Sequence, residues 1–317
     1  MSSSVAVIVN RKSGVKPRSS SRPDGLEKIA LLFKNHGINP ELLIANKGSD
    51  IPKLARKAAN RDYRIVVGGG GDGTMNAVAS ALFGTDKVMG VLPMGTLNHF
   101  AKDLRIPLTL DEAVAVIANG DTSSIDVAAV NGNIFVNNSS IGLYPALVRY
   151  RIDNQRMGFG KWAALVKALP TVLHRYSNFN IRLKTKDHHD FSGRTPFVFI
   201  GNNEYQLEGT NFGRRNSMAD GQLCLFVANE ASRLGLIRLA IQALLGHLRE
   251  ASDFTAMTTT EILIETRRKR LSVAVDGEVL TLESPLHYQV RRNALKVMVP
   301  RAEVSQAETT VAVNSYA

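Results

Sequence analysis

The sequence predicts an α/β domain joined to a β-rich one. Strand-like and helix-like segments alternate through the first 128 residues, the rhythm of a mostly parallel sheet covered by helices. From about residue 125 the pattern changes to short strands separated by turns such as "NGN" and "DGE", as in antiparallel hairpins. Between a strand and a helix of the first part lies "IVVGGGGDGTMNAVASAL", Ile65 to Leu82, with five glycines in six positions.

The elements follow in order. "SVAVIVN" reads as a strand, and "GLEKIALLFKNHG" as a helix stopped by Gly37. "ELLIA" is a second strand; "DIPKLARKAANRD" is a helix with Asp50 as N-cap and Pro52 in its first turn. "YRIVVGG" and "GTMNAVASALFG" form a third strand and helix. "KVMGVLP" is the fourth strand, followed by "GTLNHFAKDL" and the helix "LDEAVAVIANG". The second part holds "SIDVAAVNGNIFVNNSSIG", "FNIRLKTKDHHDFSGRTPFVFIGN", "GQLCLFVAN", "TTEILIETRRKRLSVAVDGEVL" and "ALKVMVP", interrupted by a helix over roughly 232–248. The expected division is therefore 1–128, 129–300 and a loose polar tail over 301–317. "RRKR" at 267–270 is expected to be a hairpin turn. His188, His189 and Asp190 are expected in a solvated turn rather than at a metal.

Composition is ordinary for a globular chain, with 44% apolar and 21% charged residues. One cysteine, Cys224, excludes a disulfide framework; in "LCLFV" it reads as a buried thiol on a strand. The N-terminus carries no secretory pattern, and no run of 18 apolar residues occurs. These features point to a soluble, cytoplasmic protein. The net charge of +11 favours anionic partners. Arg149, Arg151, Arg156, Lys161, Lys167 and Arg175 face a single acid, Asp153, in a stretch that also carries Trp162, Leu165, Val166 and Leu169 at helical spacing. A membrane-surface helix looks like this, and so does a core helix with a solvated basic face. No nucleic-acid motif accompanies the charge.

The glycine run reads as a phosphate site. Glycines let successive N–H groups converge on an anion, and the following helix adds its positive end. Gly68, Gly70 and Gly73 match a dinucleotide fingerprint, but the run follows the third strand, and the next strand ends in Pro93 and Met94 rather than an acid. No Walker A sequence occurs. Asp72 is informative, because a carboxylate beside phosphates is repelled unless a divalent cation lies between them. That points to a metal–nucleotide complex and phosphoryl transfer. Thr74 is placed to cap the helix or bond a phosphate. A second glycine turn, "LPMGTLNHFAKDL", again lies between strand and helix, so the two turns are expected to face one crevice.

These residues resemble the family of diacylglycerol-kinase-type lipid kinases. The family pattern G-G-G-D-G-T is Gly69–Thr74, and P-x-G-T-x-N-D-[FL]-A is matched at Pro93, Gly95, Thr96, Asn98, Phe100 and Ala101. "NRKSG" at 10–14, "ADGQLCLF" with Asp220, and Val275–Glu278 complete five motifs in order, from Asn10 to about Pro300. The resemblance implies an N-terminal nucleotide-binding α/β domain and a C-terminal antiparallel β-sandwich, with the site between them. It implies ATP on Gly68, Gly69, Gly70, Gly71, Asp72, Gly73 and Thr74, with Gly95, Thr96 and Asn98 opposite and Asn10 nearby. It implies Mg2+ served by Asp72 and Asp126, and a structural magnesium around Ser217, Asp220 and Gln222, of which only Asp220 offers a carboxylate. A lipid hydroxyl must lose a proton as it attacks the γ-phosphorus. Glu278 is the favoured acceptor and Asp276 the next, both reaching the cleft if strand alternation holds. The acceptor would be diacylglycerol or a related lipid, met at an anionic membrane surface through transient contact. The oligomeric state is open, a homodimer included.

Three positions depart from the pattern: His99 stands where the family has an acid, Arg11 where it has proline, and Ala45 where a threonine often meets nucleotide. The enzyme rival is an NAD kinase, whose family also carries G-G-D-G-T; the rival of another class is a non-catalytic lipid or nucleotide sensor, for which His99 is the support.

Overall fold

The computed structural model describes residues 4–11, 25–146, 148, 178–188, 190–206, 214–228 and 254–301. The expected helix over 232–248, the basic aromatic stretch 149–175, His189 and residues 302–317 lie outside the described residues.

The first part is the expected α/β unit. Strands β1 (Val5–Asn10), β2 (Glu41–Ala45), β3 (Ile65–Gly70) and β4 (Val88–Pro93) are parallel, in the order β2-β1-β3-β4. β1, β3 and β4 are buried almost throughout, as near-continuous apolar runs in a covered parallel sheet must be. Helices α1 (Gly25–Asn35), α2 (Ile51–Ala59), α3 (Asp72–Leu82), α4 (His99–Asp103) and α5 (Leu110–Asn119) connect them. α1 buries Ile29, Leu32 and Phe33, and past its end Gly37 takes φ +73°, the left-handed stop expected of it. The Asp50 side chain makes no cap bond to α2; it accepts the Lys47 N–H and closes a 3-10 turn just before the helix.

The second part forms two facing layers. Strands β5 (Asp121–Val130), β6 (Asn133–Phe135), β8 (Phe179–Thr185), β9 (Phe191–Thr195), β13 (Glu261–Thr266) and β16 (Leu286–Val299) extend the first sheet to ten strands. β7 (Asn138–Gly142), β10 (Phe197–Asn202), β11 (Leu223–Ala228), β12 (Phe254–Thr259), β14 (Arg270–Val275) and β15 (Glu278–Glu283) form a six-stranded antiparallel sheet. Between the layers lie Phe135, Ile141, Leu183, Ile200, Leu225, Ile264, Val273 and Tyr288. The Tyr288 hydroxyl meets Ser139 Oγ at 3.1 Å, which satisfies both buried groups.

The two parts share a sheet. β16 runs parallel to β4 at Lys296↔Val88 and antiparallel to β5 along most of its length, so the chain returns to the first part at its end. Residue 128 falls inside β5. "RRKR" does not form a hairpin turn: β13 pairs with β8 and β16, whereas β14 pairs with β7 and β15, so these residues carry the chain from one layer to the other. Local pattern is the same for a hairpin and a corner; only the partner strands differ. His188 lies in the turn between β8 and β9, and the Asp190 carboxylate accepts the Thr185 N–H. Cys224 is buried on β11, and burial pushes its thiol up to about 12.

Candidate active site

The site begins at the carboxyl ends of β1, β3 and β4. β1 leads outward to β2, and the chain then returns on the other side of β1 to β3 and β4. The crevice between β1 and β3 is therefore the topological switch point, where open α/β sheets take ligands. Asn10 ends β1 there, and the glycine run ends β3.

The glycines divide into two groups. Gly68, Gly69 and Gly70 are buried in β3. A side chain on Gly68 would crowd the Met75 sulfur at 3.2 Å, one on Gly69 the Ile8 carbonyl at 3.3 Å, and one on Gly70 would overlap Thr74. Packing forbids a side chain at Gly70 and leaves little room for one at Gly68 and Gly69. Thr74 is buried against Gly70, and the N-cap position of α3 is taken by Gly71. Gly71 and Gly95 are required by each other: a Cβ on Gly95 would lie 2.5 Å from Gly71 Cα. The two glycine turns are thus packed backbone to backbone. Gly73 is exposed, and a Cβ there would meet nothing within 4 Å. Space for an anion is therefore at Gly71–Gly73, on the N-terminal end of the 11-residue α3.

The second turn is locked by its own side chain. Asn98 Oδ1 accepts the Gly95 N–H at 2.9 Å, and Asn98 Nδ2 donates to the Gly95 carbonyl at 3.1 Å. Asn98 itself is left-handed, at φ +50°. Thr96 and His99 are exposed on this turn. Asp72 Oδ1 accepts the Phe100 N–H at 3.1 Å, so the acid in the glycine run ties α3 to the first turn of α4.

Asp126 is 1% exposed, and both its oxygens are taken by backbone: Oδ2 by the Gly221 N–H at 2.6 Å and Oδ1 by the Asn293 N–H at 2.8 Å. It knots the turn before β11 to the irregular register in β16. Ser217 Oγ accepts the Ala219 N–H, the Gln222 carbonyl accepts the Asn203 N–H, and Asp220 is exposed. Among the described residues, no three His, Cys, Asp or Glu side chains are grouped as a metal cage.

Asp276 and Gly277 are the two-residue turn between β14 and β15, with φ +45° and +83°, a type I′ hairpin. The expected strand alternation from Asp276 to Glu278 does not apply, because Asp276 is in the turn and Glu278 opens β15. Asp276 points inward: Oδ2 accepts the Val136 N–H at 2.8 Å, and Oδ1 accepts those of Asn137 and Asn138, each at 2.9 Å. Burial raises its pKa to about 6, while the three amides and the Arg215 charge pull it back. Glu278 is exposed.

A buried cluster that sequence reasoning missed joins the two halves. Arg215 spends all five donors: Nε and Nη2 on Asp103 Oδ2 at 2.8 and 2.7 Å, Nη1 on the carbonyls of Val136 (2.6 Å) and Asn202 (3.0 Å), and Nη2 also on Asn137 Oδ1 (3.0 Å). Its guanidinium lies 5.3 Å from the centre of the Tyr205 ring. Asp103 ends α4, in the same stretch as the second glycine turn, but nothing in "AKDL" distinguishes it from a solvated acid. "RRN" at 214–216 looks equally like surface charge.

Comparison with known proteins places the chain in a family. Residues 4–130 match the family "Diacylglycerol kinase catalytic domain", and residues 140–299 match "YegS C-terminal NAD kinase beta sandwich-like domain". A diacylglycerol kinase of Staphylococcus carnosus (strain TM300) is 27% identical over 62% of this chain; the match covers 62% of that protein, under two thirds of its length. A Yersinia pestis (strain Pestoides F) protein named "Probable lipid kinase YegS-like" is 26% identical, over 89% of this chain and 94% of that one. A solved diacylglycerol kinase structure from Bacillus anthracis str. Sterne shares the fold, with a TM-score of 0.66 and 20% identity over 93% of this chain and 96% of that one. No helix among the described residues is long and apolar enough to cross a membrane. The chain belongs to the diacylglycerol-kinase family.

Proposed function

We propose that the protein transfers the γ-phosphate of ATP to a hydroxyl of diacylglycerol or a related lipid, with Mg2+ present. The observation that carries this is the half-buried, three-fold hydrogen-bonded Asp276 carboxylate, joined through Arg215 and α4 to the packed glycine turns. Triphosphate oxygens meet the free N–H groups at Gly71–Gly73 and the positive end of α3. The exposed Thr96 lies on the facing turn, and Asn10 at the end of β1. Gly68 to Gly70 and Asn98 act indirectly, by shaping the two turns.

Asp276 is the general base ahead of Glu278. Its three amide bonds fix its aim, and a pKa raised to about 6 leaves it ionised at neutral pH and still basic enough to take a proton. Glu278, exposed on β15, is the alternative. The donor set fits Mg2+ only in part. Asp72 keeps Oδ2 for a cation, and Mg2+ needs one or two carboxylates beside phosphate and water. Asp126 is 1% exposed and gives one lone pair of each oxygen to a backbone amide, so it would serve the cation through its remaining lone pairs. Ser217, Asp220 and Gln222 lack the grouped carboxylates of a cage. When bound, the ion supplies charge neutralisation between the phosphates.

A cytoplasmic protein that meets an anionic membrane transiently accords with the net charge of +11. Whether it acts as a homodimer is a matter for sizing in solution. The test is transfer of labelled phosphate from Mg-ATP, offered separately to diacylglycerol, monoacylglycerol, phosphatidylglycerol, sphingosine, ceramide and NAD. Label on one of the lipids supports the reading and names the acceptor. Label on NAD alone moves the protein to the rival chemistry; no transfer with ATP still bound favours the sensor.

A further inference from the structure

We propose that Arg215 is a positioning residue that couples the nucleotide side of the site to the base: it clamps Asp103, at the end of α4, to the 136–138 segment whose amides hold Asp276. This rests on the reading of Asp276 as proton acceptor.

The chain of contacts is continuous. Asp72 in the first glycine turn bonds the start of α4 at Phe100, and Asp103 ends that five-residue helix roughly 4.5 Å further on. Arg215 takes Asp103 on one side and the Val136 carbonyl and Asn137 side chain on the other. The opposite edge of the same segment presents the N–H groups of Val136, Asn137 and Asn138 to Asp276. The Asn137 carbonyl is held in turn by the Asn202 N–H and the Tyr205 hydroxyl. Movement of α4 would therefore be felt at the base through one rigid, fully bonded guanidinium. A lysine has three donors on a flexible stem and cannot reproduce this fork. The Arg215 charge also acts on Asp276 at a distance; Tyr205 lies beside the guanidinium, Asp103 is bonded to it, and Glu278 on β15 is open to solvent.

Truncating Arg215 alone would strand a buried Asp103, so the test uses Arg215→Lys and the double variant Asp103→Leu/Arg215→Met, which replaces the pair with apolar volume. Thermal melts establish that each folds. In Arg215→Lys, kcat is expected to fall about 10- to 100-fold with KM for ATP nearly unchanged, as for a base displaced by about 1 Å. In the double variant, the carboxyl of Asp276, followed by NMR titration, is expected to take up its proton at higher pH, and the acid limb of kcat/KM to move with it. Folded variants that keep the wild-type kcat and the wild-type titration of Asp276 would overturn the proposal. If the wild-type protein phosphorylates none of the lipids, the kinase reading has failed; the Asp276 titration then decides alone whether Arg215 governs that carboxylate.

Discussion

Replacing Gly73 by alanine separates folding from ligand binding. Gly73 lies in the first turn of α3, its φ is not positive, and a Cβ would meet no atom within 4 Å. Alanine at a compatible helical position stabilises by about 0.4–1 kcal/mol, mainly by restricting the unfolded chain. For a chain of this size that raises Tm by about 1–3 °C. A phosphate oxygen bonding an N–H needs an approach of about 3 Å, and the new methyl occupies that approach. Loss of one bond to a charged group costs roughly 1.5–3 kcal/mol, or about 10- to 100-fold in Kd. Calorimetric titration with ATP and a thermal melt measure the two effects on one sample. Gly95→Ala is the control, because its Cβ would sit 2.5 Å from Gly71 Cα, and overpacking of that kind costs about 1–3 kcal/mol. A Gly73→Ala protein that melts higher and binds ATP as tightly as wild type would refute the phosphate cradle.

Asp126→Asn presents an amide donor to two backbone donors, so it is expected to destabilise the fold by about 1–3 kcal/mol in calorimetry, equally with Mg2+ or chelator; a loss seen only with Mg2+ would leave it the role of ligand alone. Folding raises the pKa of Asp276 from 3.8 to about 6, so this group's stabilising contribution is complete below about pH 4 and lost as pH rises through about 6. Catalysis needs the ionised form, so kcat/KM is expected to rise across pH 6; a flat profile from pH 5 to 8 would remove Asp276 as base. His99→Asp puts an acid in the first turn of α4, and the Mg2+ concentration for half-maximal rate is expected to fall; no change would mean His99 stands clear of the cation.

The α/β order and the glycine run were legible because their causes are local. Strand periodicity, Gly37 and the glycine pair of the turns each declare themselves within a few residues. Which glycine does what was not legible: Gly68 to Gly70 make room for Met75, Ile8, Met94 and Thr74, and Gly71 for Gly95, a partner 24 positions away. "VDGEV" announced its turn, yet that same turn removes the strand alternation assumed for Asp276 and Glu278. Asp103 and Arg215 lie 112 positions apart, and nothing near either one marks it as buried. Sequence shows the Asp126 carboxylate but not the two backbone amides that also bond it.

The central claim is that this cleft moves phosphate onto a lipid hydroxyl with Asp276 receiving the proton. The most direct measurement is single-turnover transfer from γ-labelled Mg-ATP to diacylglycerol in mixed micelles, comparing wild type with Asp276→Asn and Glu278→Gln. The account predicts labelled lipid from wild type, near-wild-type transfer by Glu278→Gln, and a loss of at least about 100-fold in Asp276→Asn with ATP still bound. Undiminished transfer by a folded Asp276→Asn protein would contradict it.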